Sequence, residues 1–276
     1  MFRRNACAII ANVKKLDILL FIIERMDIMK PELRQRISGF IDRNKALFLL
    51  SYFAIYLPWF GHLEKTVTTH FHVIHTALDD YIPFCEYFVI PYILWFGYIA
   101  VVYLWLFFHD KSTFFKYIAV IYTGMTLFLI ISTIYPNGHL LRPTEFSRNN
   151  IFIRLVCFIY WADTSTNILP SIHVFNSIAA HVAVMNAPEL RNKKWTVRGS
   201  LILCVSIILS TMFIKQHSCI DVMLGILLGI LMNYAVYRTS FLVKAHDFIG
   251  KLVRENRDLS PSLSRDIHST AKDAEI

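Results

Sequence analysis

Charge is scarce in this chain: 17% of its 276 residues are Asp, Glu, Lys or Arg, against 55% that are hydrophobic. That balance is too apolar for an ordinary soluble domain and fits a polytopic membrane protein. Cysteine is sparse too. The five, Cys7, Cys85, Cys157, Cys204 and Cys219, are odd in number and form no CxxC spacing, so neither a disulfide framework nor a structural zinc site is expected. The few glycines build no dinucleotide fingerprint and no Walker loop, and no internal repeat is present. The net charge of +8 suits nucleic acid in a soluble protein. Beside apolar runs it reflects cytoplasmic loops and anionic lipid head groups, so the bilayer, not nucleic acid, is the expected partner.

What is abundant is uninterrupted apolar sequence. Six uncharged runs stand out: Ala46–Leu63, Tyr87–Phe108, Tyr117–Leu141, Thr164–Pro188, Gly199–Ile214 and Val222–Tyr237. A spanning helix needs about 20 such residues. The first four runs are long enough, and Arg198 and Arg238 can snorkel to extend the last two. The expected fold is all-α, a bundle of six transmembrane helices over residues 46–240. A basic cytoplasmic extension at 1–45 precedes it, and a polar, partly disordered tail at 241–276 follows. With the N-terminus cytoplasmic, 23 Lys and Arg fall inside and five outside, namely Lys65, Arg142, Arg148, Arg154 and Lys215. That split places both termini in the cytoplasm. Ile18–Ile23 is too short to span; a variable extension or an interfacial helix accounts for it.

Three segments carry unusual polarity, and the charge count puts all three on the non-cytoplasmic face. They are Tyr135–Pro143, Leu169–Val174 and Ser210–Asp221. Pro170 suits the first turn of a helix, leaving the N–H groups of Ser171, Ile172 and His173 aimed at an anion such as phosphate. Arg142 can grip phosphate with a planar fork, and Lys215 can add a point charge. His217 and Asp221 are four apart and share a face if a helix starts there. A carboxylate on one ring nitrogen fixes the tautomer and frees the other to attack, and His173 can then protonate the leaving alkoxide. Singly, each residue has a plainer role: a packed histidine, a helix-end pair, a head-group anchor. Together, ionisable groups near a membrane mark a site.

These segments resemble the signature of the type 2 phosphatidic acid phosphatase (PAP2) superfamily, which includes the vanadium haloperoxidases: KxxxxxxRP, PSGH and SRxxxxxHxxxD. Arg142-Pro143 matches the end of the first part; Pro170-Ser171-Ile172-His173 matches the second, with Ile172 in place of Gly; Ser210, His217 and Asp221 match the third. The likeness covers roughly residues 46–240. It implies His217 as nucleophile, Asp221 as its partner, His173 as general acid, Arg142 and Ser171 as phosphate binders, and no metal or other cofactor. Tyr135 stands where the family has Lys, and Thr211 where it has Arg, so two cations are absent; Lys215 or Arg148 are the residues that can compensate. This weakened pattern is similar to the branch of inositol phosphotransferases and sphingolipid synthases.

The expected function is therefore a membrane lipid phosphatase that hydrolyses a lipid phosphate monoester or diphosphate through a phosphohistidine. The phosphotransferase of that branch is one alternative, and a non-enzymatic transporter or scaffold another. Asp163–Asn167 lines the site or is a polar helix-start loop. His70, His72 and His75 read as a surface or lid feature before a metal site. Gly225 and Gly229 form a GxxxG, which serves packing inside one bundle or a homodimer.

Overall fold

The computed structural model describes residues 51–239. The expectations for 1–45 and 241–276 lie outside the described residues. The chain divides into two compact units, Met1–Pro58 and Trp59–Ile276. In the first, the rings of Tyr52, Phe53 and Tyr56 pack on one another.

In chain order the elements are α1 (Phe53–Thr66), β1 (His72–Val73), α2 (Ala77–Tyr81), α3 (Val89–His109), α4 (Lys111–Ile134), β2 (Asn137–Gly138), α5 (Ile151–Ala162), α6 (Ile172–Asn186), α7 (Pro188–Arg191), α8 (Lys194–Phe213) and α9 (Cys219–Arg238). Polar residues set the helix starts. The Asp110 side chain accepts the Thr113 N–H at the head of α4, Asn150 accepts from Ile153 at the head of α5, and Ser171 accepts from Val174 at the head of α6. Each satisfies an N–H that the first turn leaves without an intrahelical acceptor.

Four described segments are long and apolar enough to cross a membrane: Glu86–His109, Lys111–Ile134, Lys194–Phe213 and Cys219–Arg238. Their outer faces expose Phe96, Phe108, Ile202 and Met223, side chains that hydrocarbon accepts and water does not. The chain is an integral membrane protein. The other two expected runs look different. Within the described residues, the first is part of the 14-residue α1. The fourth is the 15-residue α6, about 22 Å long at 1.5 Å per residue, short of a ~30 Å hydrocarbon core. Its first third is spent on loop, because Thr164–Pro170 turn away from the helix and Ser171 caps it. The apolar helix α5 lies in a stretch read as loop.

Helix α6 is the centre of the second unit. Its buried residues run from His173 to Val184, and it packs against α3, α4, α8 and α9. Small residues permit this. A Cβ on Gly225 of α9 would lie 2.8 Å from the Ser171 carbonyl oxygen, and one on Gly229 would lie 3.2 Å from Ile178. The GxxxG thus faces α6 of the same chain. The Ser200 hydroxyl of α8 meets both Tyr98 Oη of α3 at 2.7 Å and His181 Nδ1 of α6 at 2.9 Å. A separate apolar cluster, Val89, Tyr92, Val156, Ile159 and Ile214, seats α5 against the start of α3.

Candidate active site

The loops at one end of the second unit are stitched together by backbone bonds. β1 and β2 pair in parallel, His72 opposite Asn137 and Val73 opposite Gly138. Gly138 also bridges Thr166. A Cβ on Gly138 would come within 2.8 Å of the Ser165 carbonyl oxygen, so this approach needs glycine. Asn137, wholly buried, holds the next strand of chain: its Oδ1 accepts the N–H groups of Ile168 and Leu169, both at 3.0 Å. The loop before α6 is thereby fixed. Within it Asn167 adopts φ 55°, the left-handed region that non-glycine residues seldom enter. Its N–H donates to Asn137 O at 2.7 Å, which anchors that conformation.

Pro170 lies outside α6, preceded by a cis peptide, and not in its first turn as expected. Ser171 is the N-cap. Its own N–H donates to Asp221 O at 3.1 Å, so the anion-facing groups at this end are the N–H groups of Ile172 and His173 alone.

The turn between α8 and α9 carries the other half. Helix α8 ends at Phe213; Lys215, two residues on, is in the left-handed conformation with φ 53°, and the N–H groups of Gln216 and His217 both fold back to Thr211 O. Ser218 caps α9. His217 thus sits just ahead of the helix and Asp221 in its first turn. The His217 Nδ1–H donates to Asp221 Oδ2 at 2.5 Å. That fixes Nδ1 as the protonated nitrogen and leaves Nε2 with its lone pair. His173 Nδ1 faces this Nε2 at 3.2 Å. The rings of Tyr92 and Trp95 flank His173, with centroids 4.8 and 4.5 Å away, and burial together with the His217 charge favours its neutral imidazole. All of Ser171, His173, His217 and Asp221 are buried. The structure brings these four together.

The proposed cations are elsewhere. Arg142 caps α5: its guanidinium donates to the carbonyls of Tyr160, Asp163 and Thr164 and to Gln216 Oε1, and it stacks on the Tyr160 ring at 4.5 Å. The Lys215 ammonium donates to the carbonyls of Asp79 and Ile82, at 2.8 and 2.5 Å, on the wall of a different cavity. Arg148 pairs with Glu86 at 3.0 Å. Tyr135 stacks on His72, with centroids 4.2 Å apart. His75 pairs with Asp80 and His70 is exposed, so the three loop histidines do not converge.

Beside His173 and His217 lies a narrow cavity of about 20 Å³, and Asp163, Thr164, Thr166 and Asn167 line it. So does Glu64 of α1, which the sequence reading passed over. Its only signal was a carboxylate closing an apolar run. Burial lifts the Asp163 carboxyl above the usual carboxylate range; the His217 and Arg142 charges pull it back, while Glu64 adds to the rise.

Two supporting residues were also missed. His139, wholly buried, donates from Nε2 to Gln216 O and accepts the Leu141 N–H at Nδ1. Asp79 of α2 accepts the Ser218 hydroxyl at 2.6 Å and the Cys219 N–H at 2.7 Å, holding the head of α9. Burial pushes the Asp79 carboxyl up, but these bonds and those from Thr76 outweigh it and hold it below its ordinary value.

Residues 149–244 match the family model of the PAP2 superfamily. The match takes in Ser171, His173, His217 and Asp221 and leaves Arg142 outside. Comparison with curated proteins and with solved structures found no match. The chain is thus a membrane protein that carries a segment similar to the PAP2 superfamily.

Proposed function

We propose that this membrane protein, with its PAP2-superfamily segment, transfers the phosphoryl group of a lipid phosphate monoester or diphosphate to water through a phosphohistidine at His217. The observation that carries this reading is the ordered row Asp221–His217–His173, with Nδ1 of His217 bound at 2.5 Å and Nε2 facing His173 at 3.2 Å. Nε2 attacks phosphorus and the ester P–O bond breaks. His173, imidazolium once the phosphate charge lies beside it, gives its proton to the departing oxygen. Asp221 balances the positive ring of the phosphohistidine. Neutral His173 then takes a proton from water as water displaces His217. The positive end of α6, with the N–H groups of Ile172 and His173, meets the phosphate charge. Before reaction, phosphorus must lie roughly 3 Å from Nε2, with the leaving oxygen beyond it. The two imidazoles therefore separate as substrate enters.

Arg142 acts on the cavity wall by holding the backbone at Asp163 and Thr164. The charge count supports a site on the non-cytoplasmic side, with both termini in the cytoplasm. A second reading, transfer to an alcohol in place of water, is favoured by the carboxylates in the cavity.

The test is phosphate release by the purified full-length protein from a panel of lipid phosphates, phosphatidic acid and an isoprenoid diphosphate included. Wild type should release phosphate and His217→Ala should release none. Equal activity of the two would remove His217 from the mechanism.

A further inference from the structure

Helix α5 turns only part of its apolar surface inward. Val156 and Ile159 pack on Val89 and Tyr92 of α3, whereas Ile151 and Phe158 are 60% exposed and Trp161 is 81% exposed. At ~3.6 residues per turn these three share one side of the helix with Arg154. Such a face is uncommon in contact with water. Yet α5 has 12 residues and is about 18 Å long, too short to span a bilayer.

Its neighbours fix its depth. The cap residue Asn150 donates from Nδ2 to Glu86 Oε1 at 3.2 Å, and Arg148 donates to the same oxygen at 3.0 Å. Glu86 is the first residue of the spanning segment Glu86–His109. Next along α5, the Phe152 ring meets that of Tyr87, with centroids 5.1 Å apart. Just past its other end, Asp163 accepts Tyr92 Oη–H at 3.2 Å. Helix α5 therefore runs beside the first turns of this span, from its end at Glu86 to Tyr92, about 9 Å further in at ~1.5 Å per residue. An amphipathic helix lying in a bilayer interface is buried by a similar ~5–10 Å. At this level α3 already turns Ile90 and Leu94, 47% and 50% exposed, toward lipid. Tryptophan favours this zone, and Arg154 can snorkel from it to the head groups.

We propose that α5 is an interfacial helix, with Ile151, Phe158 and Trp161 seated among the acyl chains of the leaflet at the site's end of the bundle. The seat has a consequence for access. Trp161 lies two residues before Asp163, which lines the cavity beside His173 and His217. Arg142 ties the end of α5 to the same place, through the carbonyls of Tyr160 and Asp163 and through Gln216 Oε1. A phosphate ester anchored in that leaflet thus meets the wall of the site without leaving the bilayer. This consequence, unlike the seat itself, rests on the phosphoryl-transfer reading.

Tryptophan fluorescence of the full-length protein in lipid nanodiscs tests the seat without turnover. Subtracting the emission of Trp161→Phe from that of wild type isolates one of the five tryptophans. That component should be quenched at least threefold by phosphatidylcholine brominated in the upper half of its acyl chains, and little by iodide in the water. Quenching by iodide and not by brominated lipid would mean a face in water and overturn the seat. Protection from both would mean a cover of protein, from this chain or another, and overturn it equally. Phe158→Trp, which adds a reporter one turn away on the same face, is the second variant should Trp161→Phe not fold, and its added emission should follow the same pattern. The consequence is read from phosphate release. Trp161→Asp should lose at least tenfold in kcat/KM for a long-chain lipid phosphate in the bilayer, and change less than threefold for a short-chain, water-soluble phosphate ester. Equal losses on the two substrates would overturn approach through the leaflet. Loss of the phosphoryl-transfer reading shows separately, as equal phosphate release by wild type and His217→Ala, and leaves the quenching result standing.

Discussion

The Nε2–H of His139 donates to the carbonyl oxygen of Gln216 at 2.9 Å, tying the loop after α4 to the residue next to the proposed nucleophile. The other ring nitrogen accepts the Leu141 N–H at 3.1 Å, so both bonds require a neutral imidazole. Burial, with the charges of His217 and Arg142, pushes the His139 pKa down to about 3. Between that value and the ordinary one of about 6.5 the unfolded chain binds a proton that the folded chain refuses. His139 therefore makes stability fall as pH drops below 6.5, by up to about 1.4 kcal/mol per unit, and adds no slope above it. Thermal unfolding in detergent from pH 7 to pH 4 should show a steeper loss for wild type than for His139→Gln.

Asp79 reaches the head of α9 from the short helix α2, 140 positions earlier in the chain. Asp79→Ala removes a helix cap and leaves the Ser218 hydroxyl without its acceptor, at a cost of about 2–4 kcal/mol. Its carboxyl sits below its ordinary value, so this stabilisation is present above about pH 3.8 and is lost as pH falls through the lowered value. Chemical denaturation at pH 7 should give the full difference between wild type and variant, shrinking in strong acid. An unchanged midpoint at pH 7 would contradict the capping role.

Asp221→Asn keeps the shape of the side chain and removes its charge. An amide can donate to His217 Nδ1, which selects the tautomer with the proton on Nε2 and hides the attacking lone pair. The rate of phosphate release should drop by about 10³- to 10⁴-fold, with little change in the lipid concentration at half-saturation. Acid-labile, alkali-stable phosphate on the protein should fall in parallel. A variant that keeps wild-type phosphoprotein levels would show that Asp221 does not orient His217.

Two glycines on one face of α9 should behave differently. A Cβ at Gly225 meets the Ser171 backbone oxygen, which also accepts the Phe175 N–H and cannot move without shifting the start of α6. Gly225→Ala should lower turnover tenfold or more, because His173 moves with that helix start. At Gly229 the neighbour is the Ile178 side chain, which can rotate. Gly229→Ala should change stability by no more than about 1 kcal/mol and leave turnover near wild type, since alanine also gains about 1 kcal/mol in helix propensity. Parallel unfolding and turnover measurements on the pair separate the two outcomes.

The sequence by itself determined the membrane character, the predominance of helix and the His217–Asp221 contact. All three follow from short-range information. Apolar run length is additive along the chain, and two residues four apart at a helix start meet whatever surrounds them. The two adjoining site positions, Ser171 and His173, were legible for the same reason: each lies within a few residues of a helix cap. What only the tertiary structure decided was where charge goes. Arg142 and Lys215 bind backbone carbonyls, and a carbonyl is present at every position, so no residue type announces it. Glu64 reaches the cavity from 100 positions before Thr164, a separation at which spacing carries no geometric information. The short α6 was hidden likewise, because its apolar run continues through Thr164–Pro170, and hydrogen bonds to Asn137 and the segment after it turn that stretch into the wall of the site.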